Sequence, residues 1–540
     1  MKTIFRNNII KYSLGILLAG TFNSCRDEFT NRPSEDSISA ESYYKTNDQV
    51  RTSTDALYYK TWFQFNNKFF YALTEVGSGN MYTNSSDVNA MRTFSITPAD
   101  PEMYAGWQSL WANVAQANYL INNLQTRVDP SVSKTVINNA LGEAHFMRAT
   151  AYFYLVRIWG NVPIIEDNLK HVADSQINTN PVTDVYELIK RDYTKAGELL
   201  DSKMRSSAYA ANAKVSKGSA KAMLAKVYLY NKDYVKARQL AEEVINSGEF
   251  KLLGGTSVYS VSGKTFADLF KYPNNNNEES IFALQWKADA QYGSANNCNT
   301  QFGISNGTIS TSNASYGGVF GPSQDILQLY GTNDVRRNAT IMFPGNTYPD
   351  MKVKNGSTFQ MGLTVPSADQ IGGQGSGAAI KKYCIGIVNG NETGPVDGWG
   401  MMDNNTYIMR YAELLLIHAE AVMAGGACTS DPAALTSLNA VRNRAGLSPL
   451  STVTFNELFA ERRKELAFEG DYWFDLGRLP RTQAMSIISA QNRGNMWGAE
   501  YYTPSENDFT LPYPANDVAK NPKFWKLLFL ISLIKIIIKK

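Results

Sequence analysis

The chain has 540 residues, 44% of them hydrophobic and 19% charged, which is ample to bury a large core. A formal net charge of +3 leaves no footprint for nucleic acid and no pull toward an acidic partner. The four cysteines, Cys25, Cys298, Cys384 and Cys428, fit neither a zinc pattern nor a CxxC redox motif.

The first segment reads as an export signal. Lys2, Arg6 and Lys11 make a basic start, Tyr12 to Phe22 an apolar run, and Asn23-Ser24-Cys25 a small-residue junction. The run is far short of the ~20 residues that cross a bilayer. Residues 1–24 therefore read as a secretory signal peptide, and Cys25 as the lipid-modified first residue of a bacterial lipoprotein. Residues 25–45 are a polar, proline-containing tether.

Asp48 to Phe65 reads as a helix carrying Leu57, Tyr58 and Trp62, and Glu75 to Asn89 as a loop of Gly, Ser, Asn and Asp. Residues 102–124 are helical, with Trp107, Trp111, Val114 and Leu120 as apolar positions. Leu141 to Trp159 is a strong helix that ends at Gly160-Asn161-Val162-Pro163. Val182 to Leu200 and Ser216 to Ser247 add three more. In the second of these stretches Leu224, Ala225, Tyr228 and Ala237 match a tetratricopeptide unit, whereas Lys221 and Ala241 depart from it. Small residues there let two antiparallel helices pack closely and offer a face to the next pair.

Residues 250–405 change character. Glu279 to Trp286 alternates like a short strand, and Gly-, Ser- and Asn-rich stretches follow at 287–322 and 355–400. So much irregular chain in a folded protein is uncommon unless it is disordered or functional, and binding residues collect on loops held by a rigid scaffold. From Tyr407 to Leu479 the chain returns to helices. Ile408, Tyr411, Leu415 and Val422 recur at helical spacing up to Gly425-Gly426; Asp431-Pro432 opens a second helix, closed by Gly446; Thr454 and Glu457 set a capping box for a third. Residues 523–540 form an atypical apolar and basic tail whose run from Leu527 to Ile534 is too short to span a membrane.

The wording of the last helices is specific. Arg410-Tyr411-Ala412-Glu413-Leu414-Leu415-Leu416, Ala419-Glu420-Ala421, Leu438 to Leu447, and Glu461 to Gly470 with Trp473, Asp475 and Leu476 resemble the C-terminal part of SusD/RagB-family lipoproteins. The acidic start after Cys25, the alanine-rich helix ending at Gly160, and the ending through Asn521-Pro522 resemble the same family. The resemblance implies a mainly α fold: a tetratricopeptide-like helix-pair scaffold with long irregular loops and a few short strands. Residues 46–250 and 251–522 would form one compact unit. It also implies a non-enzymatic, lipid-anchored, surface-exposed protein of the outer membrane. Such a protein captures a glycan, or in the RagB branch a peptide, for a SusC-like TonB-dependent transporter.

The residues themselves carry little catalytic signal. His145, His171 and His418 are the only histidines, and His145 and His418 read as structural. Glu461, Glu465, Glu469, Asp471 and Asp475 could supply a glycosidase pair, but Arg462, Arg463, Lys464 and Arg478 alternate with them, so ion pairing is the simpler account. No cofactor is expected; the Asx-rich loop 79–89 is a weak calcium candidate without EF-hand spacing. Sugar rings would be met by aromatic faces and amide side chains. Loop position and chemistry single out Tyr82, Asn84, Trp286, Tyr292, Asn296, Tyr316 and Trp399. Cys384 and Cys428 are expected as buried thiols. The rivals to a glycan receptor are a peptide receptor, a glycan-degrading enzyme and a purely structural lipoprotein.

Overall fold

The computed structural model describes residues 43–173, 175–287, 293–304, 318–355, 358–371, 375–384 and 402–524. Its long elements are helices: α1 (Pro101–Leu124), α2 (Lys134–Trp159), α3 (Val182–Leu199), α4 (Lys217–Tyr230), α5 (Tyr234–Ser247), α6 (Tyr411–Met423), α7 (Pro432–Arg444), α8 (Phe455–Leu466), α9 (Tyr472–Gly477) and α10 (Arg481–Ala490). Each helix from α1 to α7 packs on the next, so the stack runs from α5 straight to α6 across the whole 248–410 excursion. Burial patterns explain the order. On α3 the buried set is Val185, Leu188, Ile189, Asp192, Tyr193 and Ala196, a single stripe for an outer helix. Every residue of α6 except Val422 is buried, as a central helix requires. Ala225, Ala237 and Ala241 have no exposed surface, and these small residues bring α4 and α5 together as a tetratricopeptide-like pair.

The helix ends follow local chemistry. Asp100 and Asp431 accept backbone N–H groups at the starts of α1 and α7, each followed by proline. Thr454 and Glu457 close the expected capping box, with the Thr454 backbone N–H donating to Glu457 at 2.8 Å. At the end of α6 it is Ala424 that first turns left-handed, at φ 49°, and Gly425 follows.

Four expectations are corrected. The single helix over 48–65 is replaced by a short α-helix, Asn47–Thr52, the 3-10 turns Asp55–Tyr58 and Lys60–Trp62, and wide π turns at Phe65–Phe69 and Ala72–Val76. Tertiary bonds override the helix here: Thr54 and Tyr58 donate to buried Glu143 at 2.7 and 3.0 Å, and Phe65 and Phe70 fit around Tyr154. Glu75, expected in a loop, has no exposed surface. Ile408 lies in a strand rather than a helix, because β-strand Thr406–Arg410 pairs antiparallel with Ser280–Leu284 and is buried throughout. Cys298 and Cys384 are buried thiols, but Cys428 is exposed, in a short strand paired with Val453–Thr454. Among the described residues no helix is long and apolar enough to cross a membrane.

One buried apolar cluster extends from Tyr44 to Phe524. The strand Met81–Tyr82 pairs with Gly321–Pro322, and α9 packs on the π turn Ala72–Val76. Chain segments far apart in sequence are thereby brought to one surface around residue 82.

Candidate functional site

The acids Glu461, Glu465, Glu469, Asp471 and Asp475 are committed to ion pairs. Arg410 reaches Glu465 and Glu469 at 2.6 Å and Glu279 at 2.8 Å. Arg336 meets Glu461 at 2.7 Å, Asp334 at 2.8 Å and Glu465 at 3.0 Å, and Arg444 pairs with both Glu279 and Glu465. Lys226 ties Asp471 to Glu413 at 2.7 and 2.8 Å, and Arg462 holds Asp475 at 3.1 Å. Burial alone would raise the Glu465 carboxyl, but Arg444, Arg410 and Arg336 outweigh it and hold it well below the ordinary carboxylate range. These acids have no open face toward a substrate. They lock α6, α7 and α8 to the 279 and 336 segments, as the alternating charges suggested.

His145 and His418 are likewise structural. His145 Nδ1 lies 2.8 Å from Asp192, which also pairs with Arg148, and His418 Nδ1 lies 2.8 Å from the Ser437 hydroxyl. In the 79–89 loop Asp87 is taken up by Lys68 and by the Ser85 hydroxyl at 2.6 Å. Among the described residues no three His, Cys, Asp or Glu side chains are grouped to hold a metal.

The binding candidates divide sharply. Trp286 is 6% exposed; its indole N–H donates to Thr406 at 3.0 Å and its ring meets Phe63 edge-on. Asn296 has no exposed surface and donates to the Asn404 carbonyl at 2.8 Å. Both are drawn inward because the 280–284 strand pairs with 406–410, so neither offers a face for stacking. Tyr82 is also mostly covered: Arg92 lies 4.9 Å over its ring and Asn495 donates to its hydroxyl at 3.1 Å. Asn84, two residues on, is exposed. Tyr292, Tyr316, Trp399 and Cys25 lie outside the described residues.

A tryptophan not singled out by sequence is the open aromatic here. Asn495 and Gly498 bridge a tight turn, and the Asn495 side chain accepts the Trp497 backbone N–H at 3.0 Å. Trp497 is 73% exposed, with Tyr501 at 61% nearby in sequence. The indole is seated on Gly375, where a Cβ would collide with its ring, and Met496 N–H donates to the Gly375 carbonyl at 2.9 Å. The base of the turn is anchored by Asn495 on Tyr82, by the Arg92–Glu500 ion pair, and by Tyr502 donating to Glu500 at 2.7 Å. A flat, apolar, exposed ring on a turn anchored to Tyr82 suits the C–H face of a sugar at low entropic cost. The sequence signal was weak: Asn495-Met496-Trp497-Gly498 is a turn by composition, but its exposure depends on Gly375.

Comparison with known proteins agrees with this architecture. Residues 278–529 match the SusD family, and residues 34–229 match a family described as starch-binding associating with outer membrane. A SusD-like protein of Bacteroides ovatus is 30% identical over 576 residues, covering 97% of this chain and 98% of its own. SusD-like protein P2 of Formosa agariphila is 26% identical over 474 residues, covering 83% and 84%. A crystal structure with xylogluco-oligosaccharide is 29% identical, with a TM-score of 0.75 and coverage of 88% of this chain and 97% of that one. The helix stack, the short strands and this likeness along nearly the whole length have one explanation: the chain belongs to the SusD family.

Proposed function

We propose that this protein is a non-catalytic glycan receptor of the outer membrane. It is anchored through lipid on Cys25, exposed at the cell surface, and hands oligosaccharide to a SusC-like TonB-dependent transporter for import. The observation that carries the reading is Trp497, 73% exposed and held on Gly375 in a turn whose Asn495 bonds Tyr82. Sugar recognition needs such a face with amide and hydroxyl groups around it. The match to a starch-binding outer-membrane family and the oligosaccharide bound to a relative support a glycan over other ligands. Tyr292, Tyr316 and Trp399 remain proposed as further contacts, and Asn84 as a hydrogen-bonding partner.

The test is calorimetry of the mature chain against xyloglucan oligosaccharides, laminarin, starch and a peptide panel, with product analysis of the same mixtures. Binding without cleavage is expected, and Trp497→Ala is expected to weaken it by roughly tenfold, the loss typical of an exposed aromatic anchor. Cleavage of a bound glycan would refute the receptor reading, and binding of peptides alone would transfer it to the peptide branch.

A further inference from the structure

A cleft of about 250 Å³ opens where the ends of α2, α3 and α4 meet α9, α10 and Phe509. Arg157, Arg478 and Arg481 line it with Tyr186, Tyr230 and Trp473, and no carboxylate lines it. The three guanidinium groups are not equivalent. Arg478 is neutralised by Glu420 at 2.8 Å and Asp475 at 3.1 Å. Arg481 gives one N–H to the Gly477 carbonyl at 2.8 Å, lies 4.3 Å over Phe509, and has only exposed Glu506 as an acidic influence.

Arg157 is the unusual group. Its charge sits among rings, 3.8 Å from the centre of Phe153, 3.9 Å from Phe474, 4.8 Å from Tyr154 and 5.3 Å from Tyr230. Nε donates to the Phe153 carbonyl at 2.8 Å, but Nη1 is buried and meets no protein acceptor. The Tyr230 hydroxyl, also buried, has no protein partner either. The nearest acids beneath, Asp471 and Asp475, are already held by Lys226 and by Arg462 with Arg478. Two buried donors, one of them charged, thus share a concave, ring-lined site that the protein leaves without an acceptor. Such donors are costly unless an anion completes them.

We infer that this cleft is a second ligand site, separate from the Trp497 turn, that takes the carboxylate of a uronic-acid sugar residue. The carboxylate accepts from Arg157 Nη1 and the Tyr230 hydroxyl, and the pyranose ring lies among Tyr186, Trp473 and Phe509. The cleft volume fits a single sugar ring rather than an extended chain. The inference does not rest on the capture role of Trp497.

The test is titration of the mature chain with D-glucuronate, D-glucose and sodium sulfate as separate probes, alongside thermal melting. Tyr230→Phe removes only a hydroxyl without a protein partner. It is expected to leave Tm unchanged or raised while weakening glucuronate about fivefold. Arg157→Lys keeps the charge but loses the planar fork, and is expected to weaken glucuronate by roughly tenfold. Trp497→Ala is expected to leave glucuronate affinity unchanged, which separates the two sites. Glucose or sulfate binding as well as glucuronate, glucuronate affinity indifferent to Tyr230→Phe, or no heat at ~10 mM glucuronate would each overturn the inference.

Discussion

Glu465 accepts from Arg410 at 2.6 Å and Arg336 at 3.0 Å, pairs with Arg444, and has no exposed surface. Removing it would leave three buried guanidinium groups facing one another across the gap. Glu465→Ala is therefore expected to cost about 3–5 kcal/mol, read from urea unfolding. The pH dependence has a definite sign. Its folded carboxyl titrates well below the unfolded value of 4.5, so its contribution is present above 4.5 and is lost as pH falls through the folded value. Urea midpoints measured downward from neutral pH are expected to fall steeply below 4.5 in the parent, and less steeply in Glu465→Gln. Glu75 acts in the opposite direction. Burial raises it to about 7, against hydrogen bonds from Asn80, Gly470 and Phe468, so its contribution declines as pH rises from 4.5 toward 7.

Among the elements, the 495–498 turn matters more than its length suggests. Four residues present Trp497, and the seat beneath the indole is a glycine at φ 72°. A methyl at Gly375 must push the ring away and is also strained in that backbone conformation. Gly375→Ala is expected to weaken glycan binding nearly as much as Trp497→Ala, while Tm moves little because the displaced ring is a surface group. Equal affinity in Gly375→Ala and the parent would show that ring placement is unimportant. The helices behave differently. Their caps at Asp100, Asp431 and Thr454 are local devices, and their faces are complementary mainly to the next helix in the stack.

On the scale of the molecule, α5 is covered by α6, and α4 packs on both α6 and the 280–284 strand, so neither half completes its own core. Lys226 of α4 is 2% exposed, and its acidic partners Glu413 and Asp471 both come from the C-terminal part. A fragment of residues 26–250 would expose that lysine and the α5 face together. It is expected to lack a cooperative thermal transition and dispersed amide resonances, whereas residues 26–524 show both. A cooperatively folding 26–250 fragment would contradict this account of the core.

Much of the fold was legible without coordinates. Helix periodicity, the Thr454–Glu457 box, proline at the starts and the alternation of acids with arginines depend on residues a few positions apart. The family wording at 410–476 is equally local. What required the tertiary structure depends on distant partners. Ile408 joins a strand because Phe282 and Ala283 stand beside it; the 55–76 segment leaves the α-helix to meet Glu143 and Tyr154; Trp286 and Asn296 turn inward with the strand that precedes them. Trp497 reaches solvent only because Gly375 makes room beneath it. Sequence by itself determined which segments are helical, how they are capped and what kind of protein this is. The structure decided which aromatic rings face water, because exposure is set by whatever packs against a ring, and those neighbours lie far away along the chain.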